Sequence, residues 1–168
     1  MLKLEPGTAD RLYRTYGTTI AGLIEEKHLA EADVQAFLDY GHDVDLAEDI
    51  QPDLQLREML KKIPCRRWVF SNSANDHVER CLAILGIRDL FEGVIAASSV
   101  DMFSRCGYVT KPNPKCYQAA MDIAGVVDPK TCIFMDDSVK NIKTAKQVGW
   151  HAVLVQRPQM LTAVFKMK

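Results

Sequence analysis

The sequence predicts an α/β fold, a Rossmann-like parallel sheet with helices on both faces, preceded by a small helical segment. From about residue 65 onward, short apolar runs alternate with helical patterns that stop at Gly86, Gly125 and Gly149. Strands alternating with helices of this length form right-handed βαβ units, and their strands run parallel. Ahead of residue 64, apolar residues recur only at helical spacing.

Taken in order, Leu12, Tyr16, Ile20, Leu23 and Ile24 predict a first amphipathic helix, and Ala32 to Tyr40 a second. The polar stretch Gly41-His42-Asp43-Val44-Asp45 separates them from a third helix, Asp53 to Lys62, bracketed by Pro52 and Pro64. The chain thus divides into a helical segment, residues 8–50, and an α/β core, residues 51–160. The core begins with the strand Arg67–Phe70. A helix follows with Val78, Cys81, Leu82 and Leu85 on one face, then a strand at Gly93–Ala97. Tyr117, Ala120, Met121 and Ala124 mark the next helix, and Cys132–Met135 the third strand. Ile142, Ala145 and Val148 give the last helix, and His151–Val155 the last strand.

A chain of 168 residues with 48% hydrophobic content can bury a real core. A net charge of −1 leaves no basic footprint for nucleic acid. No apolar run approaches the roughly 18 residues of a membrane span, and Met1–Pro6 lacks a signal peptide's apolar stretch. The five cysteines show no paired metal spacing, and Cys81, Cys116 and Cys132 sit within apolar patterns. Small reduced core thiols fit a reducing compartment, so the protein is expected in the cytoplasm.

In folds of this class ligands bind at the carboxyl ends of the strands. Behind the first strand come Ser71-Asn72-Ser73, where a hydroxyl and the N–H groups of the next helix can hold a phosphate oxygen. Capping of that helix by Ser73, Asn75 or Asp76 is the competing reading. After the second strand, two prolines stiffen Thr110-Lys111-Pro112-Asn113-Pro114 and present Lys111, a cation suited to a phosphate or to crowded carboxylates. Asp136 and Asp137 follow the third strand. Adjacent carboxylates repel unless a cation neutralises them, and an oxygen-only set favours Mg²⁺ over Zn²⁺.

With Phe70-Ser71-Asn72-Ser73, His77, Arg80, Leu85-Gly86-Ile87, Asp89-Leu90-Phe91-Glu92-Gly93, Lys111-Pro112 and Phe134-Met135-Asp136-Asp137-Ser138 in place, the chain resembles the haloacid dehalogenase-like (HAD) hydrolases. Their pyrimidine 5′-nucleotidase-like branch is the most similar, and Tyr16-Gly17-Thr18-Thr19 with Gly22-Leu23 looks like that branch's helical cap. The resemblance implies a Mg²⁺-dependent phosphatase whose partners are small phosphorylated metabolites, nucleoside monophosphates. It implies catalytic and phosphate-binding roles for Ser71 and Lys111, with Asn72 in the same phosphate loop. Asp136 and Asp137 would be the metal's acids.

The chain departs from that family at its nucleophile. The family attacks phosphorus with an Asp at the end of a first, central strand, in an Asp-x-Asp motif, and that segment is expected upstream of Tyr16. Residues 1–15 contain only Asp10, in a polar helical setting. The only Asp-x-Asp, Asp43-Val44-Asp45, follows no apolar strand and reads as solvated acids. Loss of a covalent nucleophile costs roughly 10⁴ to 10⁶ in turnover, so the chain is expected to be inactive. A missing central strand leaves its neighbours separated by twice the usual ~4.8 Å spacing. It also removes side chains worth roughly 1.5–3 kcal/mol each. The expectation is therefore a truncated form of a phosphatase. The alternative is a non-catalytic pseudoenzyme that binds phosphate or a partner. A receiver-like signalling domain fits less well, because its acids precede the other groups.

Overall fold

The computed structural model describes residues 4–41, 46 and 49–155. Asp43, Val44 and Asp45 lie outside the described residues. Helix α1 (Thr8–Tyr16) ends at Gly17, whose φ of 89° is left-handed and whose N–H bonds to the Tyr13 carbonyl. Helix α2 (Thr19–Glu25) starts from Thr18, whose hydroxyl accepts the Ala21 N–H at 3.1 Å. The single helix expected from Leu12 to Ile24 is therefore two. Its apolar spacing persists across the break because both helices bury their leucines, Leu12 and Leu23, completely. The small Gly22 lets α2 close on Leu12 and Tyr16. Helix α3 (Val34–Gly41) follows a 3₁₀ turn at Glu31–Asp33. Helix α4 (Leu54–Lys61) is capped by Asp53, whose carboxylate accepts the Leu56 N–H at 2.8 Å.

The core continues with β1 (Trp68–Ser71), α5 (Asn75–Ile84), β2 (Gly93–Ala96) and α6 (Val100–Cys106). It is completed by α7 (Pro114–Ala124), β3 (Ile133–Asp136), α8 (Val139–Gln147) and β4 (His151–Leu154). Both strand pairs are parallel: Phe70 lies beside Ile95 and Ser71 beside Ala96, while Asp136 lies beside Leu154. The described strands form two two-stranded sheets, β1-β2 and β3-β4, instead of one continuous sheet. No described strand pairs the facing edges of β1 and β3.

The two-residue period of a strand sorts the side chains into layers. Val69 and Val94 pack with Leu56 and Leu60 of α4 and Val78 and Leu82 of α5. On the other face, Trp68, Phe70 and Ile95 meet Tyr117, Ala120 and Met121 of α7. Gly93 leaves the room that the Trp68 indole takes beside it. Four rings, Phe70, Tyr117, Phe134 and Trp150, meet edge-on or tilted with centroids 5.2–6.2 Å apart. The helical segment packs on the α/β part through a separate apolar cluster, in which Val34 and Leu38 meet Ala74, Ala97 and Tyr108.

A largely apolar cavity of about 580 Å³ is lined from both sheets, by Trp68 and Phe70 on one side and Ile133 and Phe134 on the other. The Trp68 indole nitrogen is buried without a hydrogen-bond partner among the described residues. Among the described residues no helix is long and apolar enough to cross a membrane. All five cysteines are free thiols, Cys116 buried and Cys65 exposed.

Candidate functional site

Lys111 is the centre of the site, and its surroundings explain why a lysine can be almost fully buried there, at 5% exposure. Its ammonium donates to the Phe70 carbonyl at 2.7 Å and to Asp136 Oδ2 at 2.8 Å. It also lies 4.8 Å from the Phe70 ring centroid and 5.1 Å from that of Phe134. A buried ammonium needs both a counter-charge and hydrogen-bond acceptors, and the ring faces add cation–π attraction. The lysine thereby ties the end of β1 to the end of β3.

Its backbone is fixed as tightly. Asn72 donates from Nδ2 to the Lys111 carbonyl and accepts the Lys111 N–H at Oδ1, both at 2.8 Å. Gly17, at the break between α1 and α2, lies so close that a Cβ there would sit 3.1 Å from the Lys111 carbonyl oxygen and 3.2 Å from Pro112 Cδ. The helical segment thus rests directly on the lysine loop. Lys140, in the first turn of α8, donates to the Arg14 carbonyl at 3.1 Å and anchors the end of α1.

Asp136 accepts from three donors. Oδ1 accepts from the Ser138 N–H at 2.8 Å and from Asn141 Nδ2 at 2.9 Å, while Oδ2 accepts from Lys111. Ser138 is the cap of α8, its hydroxyl accepting the Asn141 N–H at 3.4 Å. Behind Asn141, the Tyr117 hydroxyl donates to the Asn141 carbonyl at 2.9 Å. Burial, with help from neighbouring Cys116 and Asp136, pushes the Tyr117 phenol up, so it remains a donor. Asp137 differs from Asp136: it is exposed and makes no side-chain hydrogen bond or ion pair among the described residues.

Ser71 ends β1, and its hydroxyl accepts the Ser73 N–H at 3.1 Å. The expected capping of α5 by Ser73, Asn75 or Asp76 is not what is found. Ala74 is the cap residue, and a hydroxyl from the loop after β2, Ser98, accepts the Asn75 N–H at 3.0 Å. Ser73 is left facing the cavity with Asn72.

These groups border one cavity of about 600 Å³. Asn72, Ser73, Lys111, Asp136 and Asp137 line one side, and Tyr13, Arg14 and Thr18 of the helical segment line the other. Ser71 sits just behind it, at the strand end. Sequence reasoning did not assign a role to Asn141, Tyr13 or Gly17. Asn141 lies five residues after Asp136, the distance at which a side chain in a helix's first turn reaches back to the strand end.

A volume of about 600 Å³ lies within the range of roughly 300–1,000 Å³ for pockets that enclose small organic molecules. Among the described residues no group of three or more metal-type side chains assembles. Two adjacent carboxylates therefore provide the acidic oxygens.

Comparison with known proteins fits this geometry. Residues 5–149 match the family model described as "haloacid dehalogenase-like hydrolase". Phosphate metabolism protein 8 of Saccharomyces cerevisiae is 30% identical over 165 residues, covering 91% of this chain and 50% of that protein. The chain thus spans about half the length of that relative. A dehalogenase crystal structure with an intermediate complex superposes with a TM-score of 0.61 at 16% identity, over 89% of this chain and 72% of the other. A HAD family enzyme of Bacteroides thetaiotaomicron, an Asp-to-Ala mutant in complex with magnesium and inorganic phosphate, gives a TM-score of 0.57 at 19% identity, covering 98% and 93%. The parallel α/β fold, the strand-end site and the family match lead to one conclusion: the chain belongs to the haloacid dehalogenase-like hydrolases.

Proposed function

We propose that the cavity between the lysine loop and α1 binds the phosphate of a nucleoside 5′-monophosphate. On this reading it is the recognition centre of a Mg²⁺-dependent phosphatase of the pyrimidine nucleotidase kind. The observation that supports this most is the placement of Lys111, whose buried ammonium is held between the ends of β1 and β3 and borders the cavity. Lys111 neutralises the phosphoryl oxygens. Ser71, Asn72 and Ser73 form the loop that holds the phosphate, with Asn72 also fixing the lysine's backbone.

The acid pair of the cavity supports the metal. Beside the Lys111 ammonium stand two carboxylates, Asp136 and Asp137, while Arg14 and Lys140 add two further cations to the lining. A phosphate placed against Asp136 and Asp137 meets their two negative charges at close range, and a divalent cation between them offsets that local repulsion. The donors fit a hydrated Mg²⁺, which needs few protein carboxylates and keeps several waters. Asp137 offers a free carboxylate and Asp136 the remaining lone pair of Oδ2. When bound, the ion would supply charge neutralisation at the phosphoryl oxygens. Lys111 and the phosphate loop orient the ester in either case.

Hydrolysis by covalent transfer needs an acceptor oxygen beside the phosphorus. Asp136 is committed to three donors, and Ser138 and Thr18 cap helices. We therefore propose that this chain binds phosphate esters without turning them over. The three donors held by Asp136 also support the second reading, a phosphate-binding pseudoenzyme. Phosphate release from UMP and CMP with Mg²⁺ tests the proposal, and none is expected. Turnover that disappears in Lys111→Ala would mean a nucleophile elsewhere, with Asp43 and Asp45 the first suspects.

A further inference from the structure

Tyr13 is 59% exposed, yet it borders the same cavity as Lys111, Asp136 and Asp137. Its neighbours in α1 are accounted for. Leu12 is fully buried, and the Tyr16 hydroxyl donates to Glu26 at 3.3 Å. Tyr13 is the aromatic residue in the cavity's lining, and its side chain makes no hydrogen bond, ion pair or ring contact among the described residues.

The helix that carries it is held in place at three points. Arg11 makes a two-pronged pair with Glu26 at 2.6 and 2.8 Å, Lys140 holds the Arg14 carbonyl, and Gly17 abuts Lys111. The backbone that carries Tyr13 is therefore held at the border of the cavity that Lys111 also lines. The cavity itself, at about 600 Å³, is several times larger than an orthophosphate needs. An aromatic face opposite a phosphate grip is suited to a planar ring carried by the ester.

Resting on the phosphate-site reading above, we propose that Tyr13 is the stacking platform for the nucleobase, and so the residue that separates nucleotides from other small phosphate esters. Stacking on an aromatic side chain tolerates any base, because every base has a π face. Tyr13 then selects for a base and not for a particular one.

Calorimetric titration of UMP and ribose 5-phosphate, with Mg²⁺ present, tests this in the intact chain. The two ligands share phosphate and sugar and differ by the base. The wild type is expected to bind UMP about 5- to 150-fold more tightly, the range that loss of one stacked base implies. Tyr13→Ala should lower UMP affinity to that of ribose 5-phosphate and leave ribose 5-phosphate unchanged. Tyr13→Phe, which keeps the ring, should bind as the wild type does. Equal affinities in the wild type, or equal weakening of both ligands in Tyr13→Ala, would overturn the role of Tyr13 while leaving the phosphate site intact. Failure of UMP, ribose 5-phosphate and inorganic phosphate alike to bind the wild type would remove the phosphate reading and this inference with it.

Discussion

Lys111 Nζ and Asp136 Oδ2 are 2.8 Å apart, with both side chains less than one-tenth exposed. The lysine comes from the loop before α7 and the aspartate from the end of β3, so this ion pair closes the protein between two sheets whose facing edges are unpaired among the described residues. The same atoms that hold the fold at this end also define the candidate site. Removing one partner of a buried pair strands the other charge away from water, which costs about 3–5 kcal/mol. Urea unfolding should show a loss of that order in Lys111→Ala. Lys111→Met combined with Asp136→Leu should be markedly less harmful than the two single changes suggest.

Gly17 should resist substitution more than Gly7 does. Both have left-handed φ values, 89° and 83°. A Cβ at Gly7 meets nothing within 4 Å, whereas one at Gly17 meets the Lys111 carbonyl and Pro112. Backbone strain of this kind costs about 1–3 kcal/mol. Gly17→Ala should lose more stability than Gly7→Ala, and it alone should weaken ligand binding, because it displaces the lysine loop.

Acid should loosen the helical segment early. The Arg11 guanidinium, with further help from Tyr16, holds the Glu26 carboxyl down from 4.5 to about 2. A carboxylate with a depressed folded-state value stabilises the fold above its ordinary range and loses that contribution as pH falls. The contribution from Glu26 should therefore fade between about pH 4.5 and about pH 2. Hydrogen exchange in α1 and α2 should rise through that window in the wild type. Glu26→Gln should show fast exchange at neutral pH and no such step.

How much of this was legible in the sequence depended on whether the signal was local. Gly86, Gly125 and Gly149, all at positive φ, marked the ends of α5, α7 and α8 within a residue or two. Helix α6 was not foreseen. Only Met102 in it is fully buried, while Val100 and Phe103 are exposed at 83% and 39%, so no apolar stripe announces it. The break at Gly17 was hidden because Leu12 and Leu23 keep helical spacing through it. Lys111 and Asp136 were visible as chemical types at strand ends. Their direct pairing, and the Asn72 clamp on the lysine backbone, join residues 25 and 39 positions apart and have no local signature. The split into two sheets was likewise a matter of strand pairing, which apolar patterning does not encode.

The apolar cavity between the sheets has a consequence for the whole chain. Ile133 is 62% exposed in the middle of this region, and the facing edges of β1 and β3 are unpaired among the described residues. Unpaired apolar edges template association. The chain should bind ANS under native conditions and self-associate with rising concentration, and Ile133→Lys should reduce both. ANS fluorescence and sedimentation velocity read these outcomes directly.

The acid pair should act through Asp137 as much as Asp136. Calorimetry should detect weak Mg²⁺ binding to the wild type, reduced in Asp137→Asn and in Asp136→Asn. Equal binding by all three proteins would remove the pair from the metal site.

The central claim is that Lys111 and the acid pair form a phosphate site in which a divalent cation offsets the two acids. Its most direct test is titration of inorganic phosphate into the folded chain, with and without Mg²⁺, beside Lys111→Met. The account predicts phosphate binding by the wild type that depends on Mg²⁺ and falls at least about tenfold in Lys111→Met, in line with the loss of a charge-assisted hydrogen bond. Phosphate binding that is indifferent to both the metal and the lysine would contradict it.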